Sequence, residues 1–127
     1  MYNAACIVDP VTNAYCYVEA AHNSNPSDLY LYQLPIDIAF PNSATPTCSS
    51  CSKDILDMYL GALDNSTQAA DLHALGLTYN SGARASDTQC GSTFATVSSS
   101  NAVPSWSLSW IHALPLIFLV PIRLLLL

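Results

Sequence analysis

The chain has 127 residues, room for one domain, and only 9% of them are charged: nine acidic side chains against three basic ones. Residues 1–100 hold all nine acids and two of the bases, which excludes a nucleic-acid partner, since that affinity rests on clustered Lys and Arg releasing counterions from phosphates. About 100 residues bury a modest core, and small extracellular domains commonly make up the deficit with disulfides. Five cysteines therefore predict a small, disulfide-stapled domain; the helical stretches along the chain make it mainly α, with a C-terminal hydrophobic tail after it.

Residues 1–9 carry neither the basic start nor the apolar core of a secretory signal. Residues 14–21 read as a short helix, ended by His22-Asn23-Ser24-Asn25-Pro26 because the residue before a proline is pushed out of the helical region. Asn25 caps a new turn with Pro26 at its first position. Leu29 to Leu34 (LYLYQL) shows no useful period for a helix or a strand, and Pro35, Pro41 and Pro46 make residues 35–47 an extended connector. The clearest helix follows. Ser49 or Ser50 caps it, Asp54 and Asp57 suit its electropositive start, and Ile55, Leu56, Tyr59, Leu60 and Leu63 recur on one face. A shorter helix is expected from Thr67 to Leu75 with Gly76 as its C-terminal cap, then a turn-like stretch from Asn80 to Ser92. The Ser-rich run from Ser98 to Ser107 reads as a linker.

The cysteines are Cys6, Cys16, Cys48, Cys51 and Cys90, and two pairs with one left over can be drawn in fifteen ways. Cys48-Ser49-Ser50-Cys51 has the bare spacing of a zinc knuckle or a redox motif. Zinc needs a second ligand pair, and neither His22 nor His73 stands at a suitable spacing. A redox site sits in a βαβ setting, and no strand pattern precedes this one. Structural disulfides are the expectation, with no metal and no cofactor.

The tail carries an address. Ser100-Asn101-Ala102 supplies three small residues, residues 103–110 form an uncharged spacer, and residues 111–127 include 13 apolar residues of 17. That is the layout of a glycosylphosphatidylinositol (GPI) attachment signal, with Ser100 as the attachment site and Ser99 as the alternative. A membrane-spanning tail competes poorly: the run Ala113–Ile122 covers roughly 15 Å of a core about 30 Å thick. Extending it to Trp106–Leu127 gives the length but adds His112 and Arg123 to the Pro115 and Pro121 already within it, with no basic cluster after it. Asn65-Ser66-Thr67 is the single N-glycosylation sequon, in the expected turn between two helices.

No GxSxG, HExxH or Gly-rich phosphate loop is present, so this chain is not expected to be an enzyme. Helix-dipole stabilisation accounts for Asp54 and Asp57 without catalysis, and His73 fits a helix surface. Tyr15, Tyr17, Tyr30, Tyr32, Tyr59 and Tyr79 could stack on sugars, but tyrosines at this density more often pack half-buried with the hydroxyl wet.

The ordered series Tyr15-Cys16, then Asn25-Pro26-Ser27-Asp28-Leu29-Tyr30-Leu31-Tyr32-Gln33-Leu34-Pro35, then Pro46-Thr47-Cys48-Ser49-Ser50-Cys51, then Cys90-Gly91 resembles a fungal family of secreted, often GPI-anchored, cysteine-rich proteins of unknown function. The likeness spans residues 1 to about 97. It implies a helical, disulfide-bonded domain and supplies no activity. It also implies a further half with its own cysteines and signal peptide upstream of Met1, where Cys6 would find its partner.

The expected organisation is thus the C-terminal part of an extracellular domain over residues 1–97, a linker and GPI spacer over 98–110, and a hydrophobic tail over 111–127. The expected role is a structural or interaction protein at the cell surface or cell wall, with the membrane as partner through a lipid anchor. The alternatives are a wall-polysaccharide-binding or wall-remodelling module using Tyr30 and Tyr32, a tail-anchored membrane protein, and a secreted enzyme whose catalytic groups lie in the upstream half.

Overall fold

The computed structural model describes residues 2–99. Among them are five α-helices and one 3-10 helix: α1 (Tyr2–Ala5), α2 (Cys16–His22), the 3-10 helix (Pro26–Ile36), α3 (Ser50–Asp64), α4 (Ser66–Ala69) and α5 (His73–Cys90). The only β pairing among the described residues is an isolated antiparallel bridge between Val8 and Tyr15. The mainly helical, disulfide-stapled fold expected from the sequence is what forms.

Asn25 opens the 3-10 helix as expected, its side chain accepting from the Ser27 N–H with Pro26 in the first turn. Three residues per turn stack positions i and i+3, so Asp28, Leu31 and Leu34 line up and are buried together. Asp37, in the left-handed region at φ 67°, ends the element by donating its N–H to the carbonyls of Gln33 and Leu34. This replaces the aperiodic stretch expected at 29–34 and shortens the connector, which starts after Ile36.

In α3, Ser49 is the cap, its hydroxyl accepting from the Ser52 N–H at 3.1 Å. Ile55, Leu56, Tyr59 and Leu63 are buried as the spacing required, while Asp57 pairs on the surface with Lys53 at 3.4 Å.

The second half departs from expectation. Gly76 is not a cap: the expected Thr67–Leu75 helix is split between α4 and the start of α5, and α5 runs on through the supposedly turn-like Asn80–Ser92 as far as Cys90. Its buried face is Leu75, Tyr79, Gly82, Ala83 and Ser86, at helical spacing but built largely from small residues. Small size is the point. A Cβ on Gly82 would lie 3.0 Å from Leu34 Cδ1 and 3.2 Å from Leu31 Cδ2, so glycine lets α5 settle directly onto the 3-10 helix. Thr78 locks that contact by donating its hydroxyl to the Leu34 carbonyl at 2.6 Å.

After Gly91, at φ 105°, the chain folds back along α5. The Tyr79 hydroxyl donates to the Thr96 carbonyl at 2.7 Å, and Asn80 exchanges two hydrogen bonds with the Ser98 backbone at 2.8 and 3.0 Å. Ser98, expected to begin a linker, is therefore part of the folded domain. Ser99 is exposed; Ser100 and the tail over 111–127 lie outside the described residues.

Candidate functional site

The most organised polar region surrounds the start of α3, where the two cysteines of the Cys48-Ser49-Ser50-Cys51 segment part company. Cys51 bonds to Cys16 of α2, and Cys48 bonds to Cys90 at the end of α5. The segment is a hub tying both ends of the domain to one helix start, the structural role expected over a zinc or redox site. The bridges close sequence separations of 35 and 42 residues, each contributing roughly 4 kcal/mol in the chain-entropy treatment. Cys6, expected among the disulfide cysteines, is exposed and unpaired among the described residues. Each bridged cysteine already has a partner inside the domain.

Hydrogen bonds join the sequence patterns on either side of this hub. Asp28, buried on the 3-10 helix, accepts from the Thr47 N–H at 2.7 Å and from the Thr47 hydroxyl. Asn25 donates its amide to the Thr45 carbonyl at 2.8 Å, and the Ser27 hydroxyl accepts from the Thr45 N–H at 3.2 Å. The polar members of Asn25-Pro26-Ser27-Asp28 thus hold residues 45–47, the run that leads into Cys48. A cleft of about 80 Å³ lies beside them, lined among others by Glu19, Asn23, Asp28, Tyr32, Ser49 and Ser52. Asp28 is occupied with Thr47, and the Ser49 and Ser52 hydroxyls bond each other at 3.0 Å. His22 and His73 are exposed elsewhere. The hydrogen bonds of Asp28, Asn25 and Ser27 position the backbone on either side of the hub.

Along the same cleft, which Cys16 and Cys51 also line, two carboxylates converge on the nearly buried disulfide. Asp9 Oδ2 and Glu19 Oε2 each lie 3.5 Å from Cys51 Sγ. The sulfur is oxidised and has no proton to donate, so these are contacts rather than hydrogen bonds, and it offers no thiolate that would make the trio a metal site. Asp9 is held by the N–H groups of Val11 and Thr12 at 2.6 and 3.1 Å and by the Ser50 hydroxyl at 2.9 Å. Those bonds, the Val11 N–H first, keep its carboxyl below the usual carboxylate range. Glu19 accepts from the Thr12 hydroxyl. Sequence reasoning did not find this pair, because Asp9 and Glu19 meet only through the Val8–Tyr15 bridge and the turn between.

Asn65 sits, exposed, between α3 and α4 as expected. Its Oδ1 accepts from the N–H groups of Thr67 and Gln68, while Nδ2, the atom a glycan would occupy, makes no hydrogen bond among the described residues. Tyr30 and Tyr32 are engaged in packing, edge-on to Phe40 and Tyr17 at centroid distances of 5.9 and 5.0 Å. The hydroxyls of Tyr32 and Tyr59 are buried without a hydrogen-bond partner among the described residues.

Helices stapled from one hub and clipped by motif side chains define a small disulfide-bonded helical domain. The profile of a domain of unknown function, DUF7729, matches residues 1–99, and the chain belongs to that family. The comparisons with curated proteins and with solved structures found no match.

Proposed function

We propose that this chain is a GPI-anchored protein of the cell surface or wall, of the fungal secreted type its motifs resemble, with a structural or interaction role. The observation that carries the reading is the tail: small residues at 99–102, an uncharged spacer, and 13 apolar residues of 17 over 111–127. The fold is consistent with it. Ser98 is the last of the described residues hydrogen-bonded to α5, and the proposed attachment at Ser100, or at Ser99, follows it within two residues. Two disulfides suit an oxidising compartment. Among the described residues no helix is long and apolar enough to cross a membrane. Asn65 is the proposed glycan site.

The polysaccharide-binding alternative gains little support, because Tyr30 and Tyr32 spend their rings on Phe40 and Tyr17. Phosphatidylinositol-specific phospholipase applied to intact cells tests the anchor. Release of a protein lacking residues 101–127 is the expected result; retention with Leu127 still present would favour a membrane-inserted tail.

A further inference from the structure

The two disulfides differ in what an attacking thiol would meet. Cys16 and Cys51 are 1% and 8% exposed, and the Cys51 sulfur faces Asp9 and Glu19 at 3.5 Å each. Cys48 is exposed and Cys90 half-buried, and among the described residues no carboxylate is within hydrogen-bond distance of their sulfurs. Neither Lys53 nor Arg84 forms an ion pair with Asp9 or Glu19 among the described residues: Lys53 bonds to Asp57 at 3.4 Å and to the Phe94 carbonyl at 3.0 Å, and Arg84 is exposed on α5. The polar groups facing the carboxylates are the Val11 and Thr12 N–H groups and the Thr12 and Ser50 hydroxyls, none of them cationic.

We propose that Asp9 and Glu19 form an electrostatic guard on the Cys16–Cys51 disulfide, suppressing exchange with anionic thiols there and fixing the order of reduction, with Cys48–Cys90 opening first. In exchange, a thiolate attacks one sulfur; a new S–S bond forms to it, the original S–S bond breaks, and the electron pair leaves on the other cysteine as a thiolate. A second equivalent of thiol resolves the mixed disulfide, so two thiols are oxidised to one small-molecule disulfide while the protein bridge is reduced to two thiols. Negative charge is spread over three sulfurs during attack. Attack at Cys51 brings the incoming charge against both carboxylates; attack at Cys16 expels charge onto Cys51 in the same place. Either route gathers like charge at a bridge that lines the cleft but is itself nearly buried, where repulsion is less screened than in open water. Neutralising one carboxylate by substitution removes half of the guard without removing the hydrogen-bond acceptor that Thr12 uses.

The test separates charge from burial. The full chain is reduced with 2-mercaptoethanesulfonate or with cysteamine, thiols of similar size and opposite charge, and each bridge is followed by timed alkylation and peptide mass mapping. Comparing the two bridges within one reaction cancels each reagent's own reactivity. The expected result is that the rate advantage of Cys48–Cys90 over Cys16–Cys51 is on the order of tenfold greater with the anionic thiol than with the cationic one. Glu19→Gln should shrink that difference by several-fold, and Asp9→Asn in addition should abolish it, with the rate at Cys48–Cys90 unchanged. An equal rate ratio with both reagents in the unaltered protein would show that burial alone protects the bridge and would overturn the proposal, as would Cys16–Cys51 opening first with the anionic thiol.

Discussion

The two bridges leave from adjoining turns at the start of α3 and enter different surroundings. Cys51 turns inward to a buried sulfur on α2, beneath two carboxylates and beside a hydrogen-bonded cleft, whereas Cys48 reaches an exposed junction at the end of α5. The difference teaches what the four-residue spacing is for. Ser49 between them is the helix cap, so Cys48 lies just outside the helix and Cys51 in its first turn. That places their side chains on different sides of the chain, suited to two distant partners rather than to each other.

The strongest test of the contrast is removal of one bridge at a time. Replacing Cys16 and Cys51 together by Ala should cost about 4 kcal/mol or somewhat more, because loss of the cross-link is joined by a cavity in buried surroundings. Replacing Cys48 and Cys90 should cost roughly 2–4 kcal/mol. Denaturant midpoints measure both, and a larger loss for the exposed bridge would break the comparison.

A second contrast is between glycines. Gly82→Ala should destabilise by about 1–3 kcal/mol, since its Cβ meets Leu34 and Leu31 at 3.0 and 3.2 Å in a packed layer. Gly61→Ala, on α3 with nothing within 4 Å, should stabilise by up to about 1 kcal/mol. Thermal melts of the two single variants decide it, and equal effects would mean that α5 does not lie against the 3-10 helix as described.

The smallest effect concerns two buried tyrosines. Tyr79→Phe loses the bond to the Thr96 carbonyl and should cost about 1 kcal/mol, while Tyr59→Phe, whose hydroxyl has no partner, should cost nothing or stabilise slightly. Burial pushes both phenols up to about 12 from 10.0, with Asp57, Asp64 and Asp87 adding to the shift at Tyr79. A raised folded value means that stability is fully present below pH 10 and is lost as the pH climbs towards 12. Alkaline unfolding followed by circular dichroism should be delayed in Tyr59→Phe, whose phenol no longer ionises in the unfolded chain.

Sequence alone made α3 legible, because large apolar residues recur on one face and a serine stands at its cap. It misread α5 for a physical reason: Gly76 looks like a stop, and Gly82, inside the stretch read as turn-like, is a contact surface whose value depends on Leu31 and Leu34, about fifty residues earlier. The 3-10 helix escaped notice because its register is three, and Asp28, Leu31 and Leu34 match neither a strand nor an α-helix. The roles of Asp28 and Thr47 were hidden until the fold brought their segments together; as a string they were only a recognisable pattern. The carboxylate pair was invisible for the same reason, since Asp9 and Glu19 carry no shared spacing rule.

The central claim is that Cys48 and Cys51 are a hub rather than a pair, and peptide mapping under non-reducing conditions, with fragmentation between the two cysteines, tests it most directly. The account predicts Cys51 joined to Cys16 and Cys48 joined to Cys90. A direct Cys48–Cys51 bond, or either cysteine recovered as a free thiol, would contradict it.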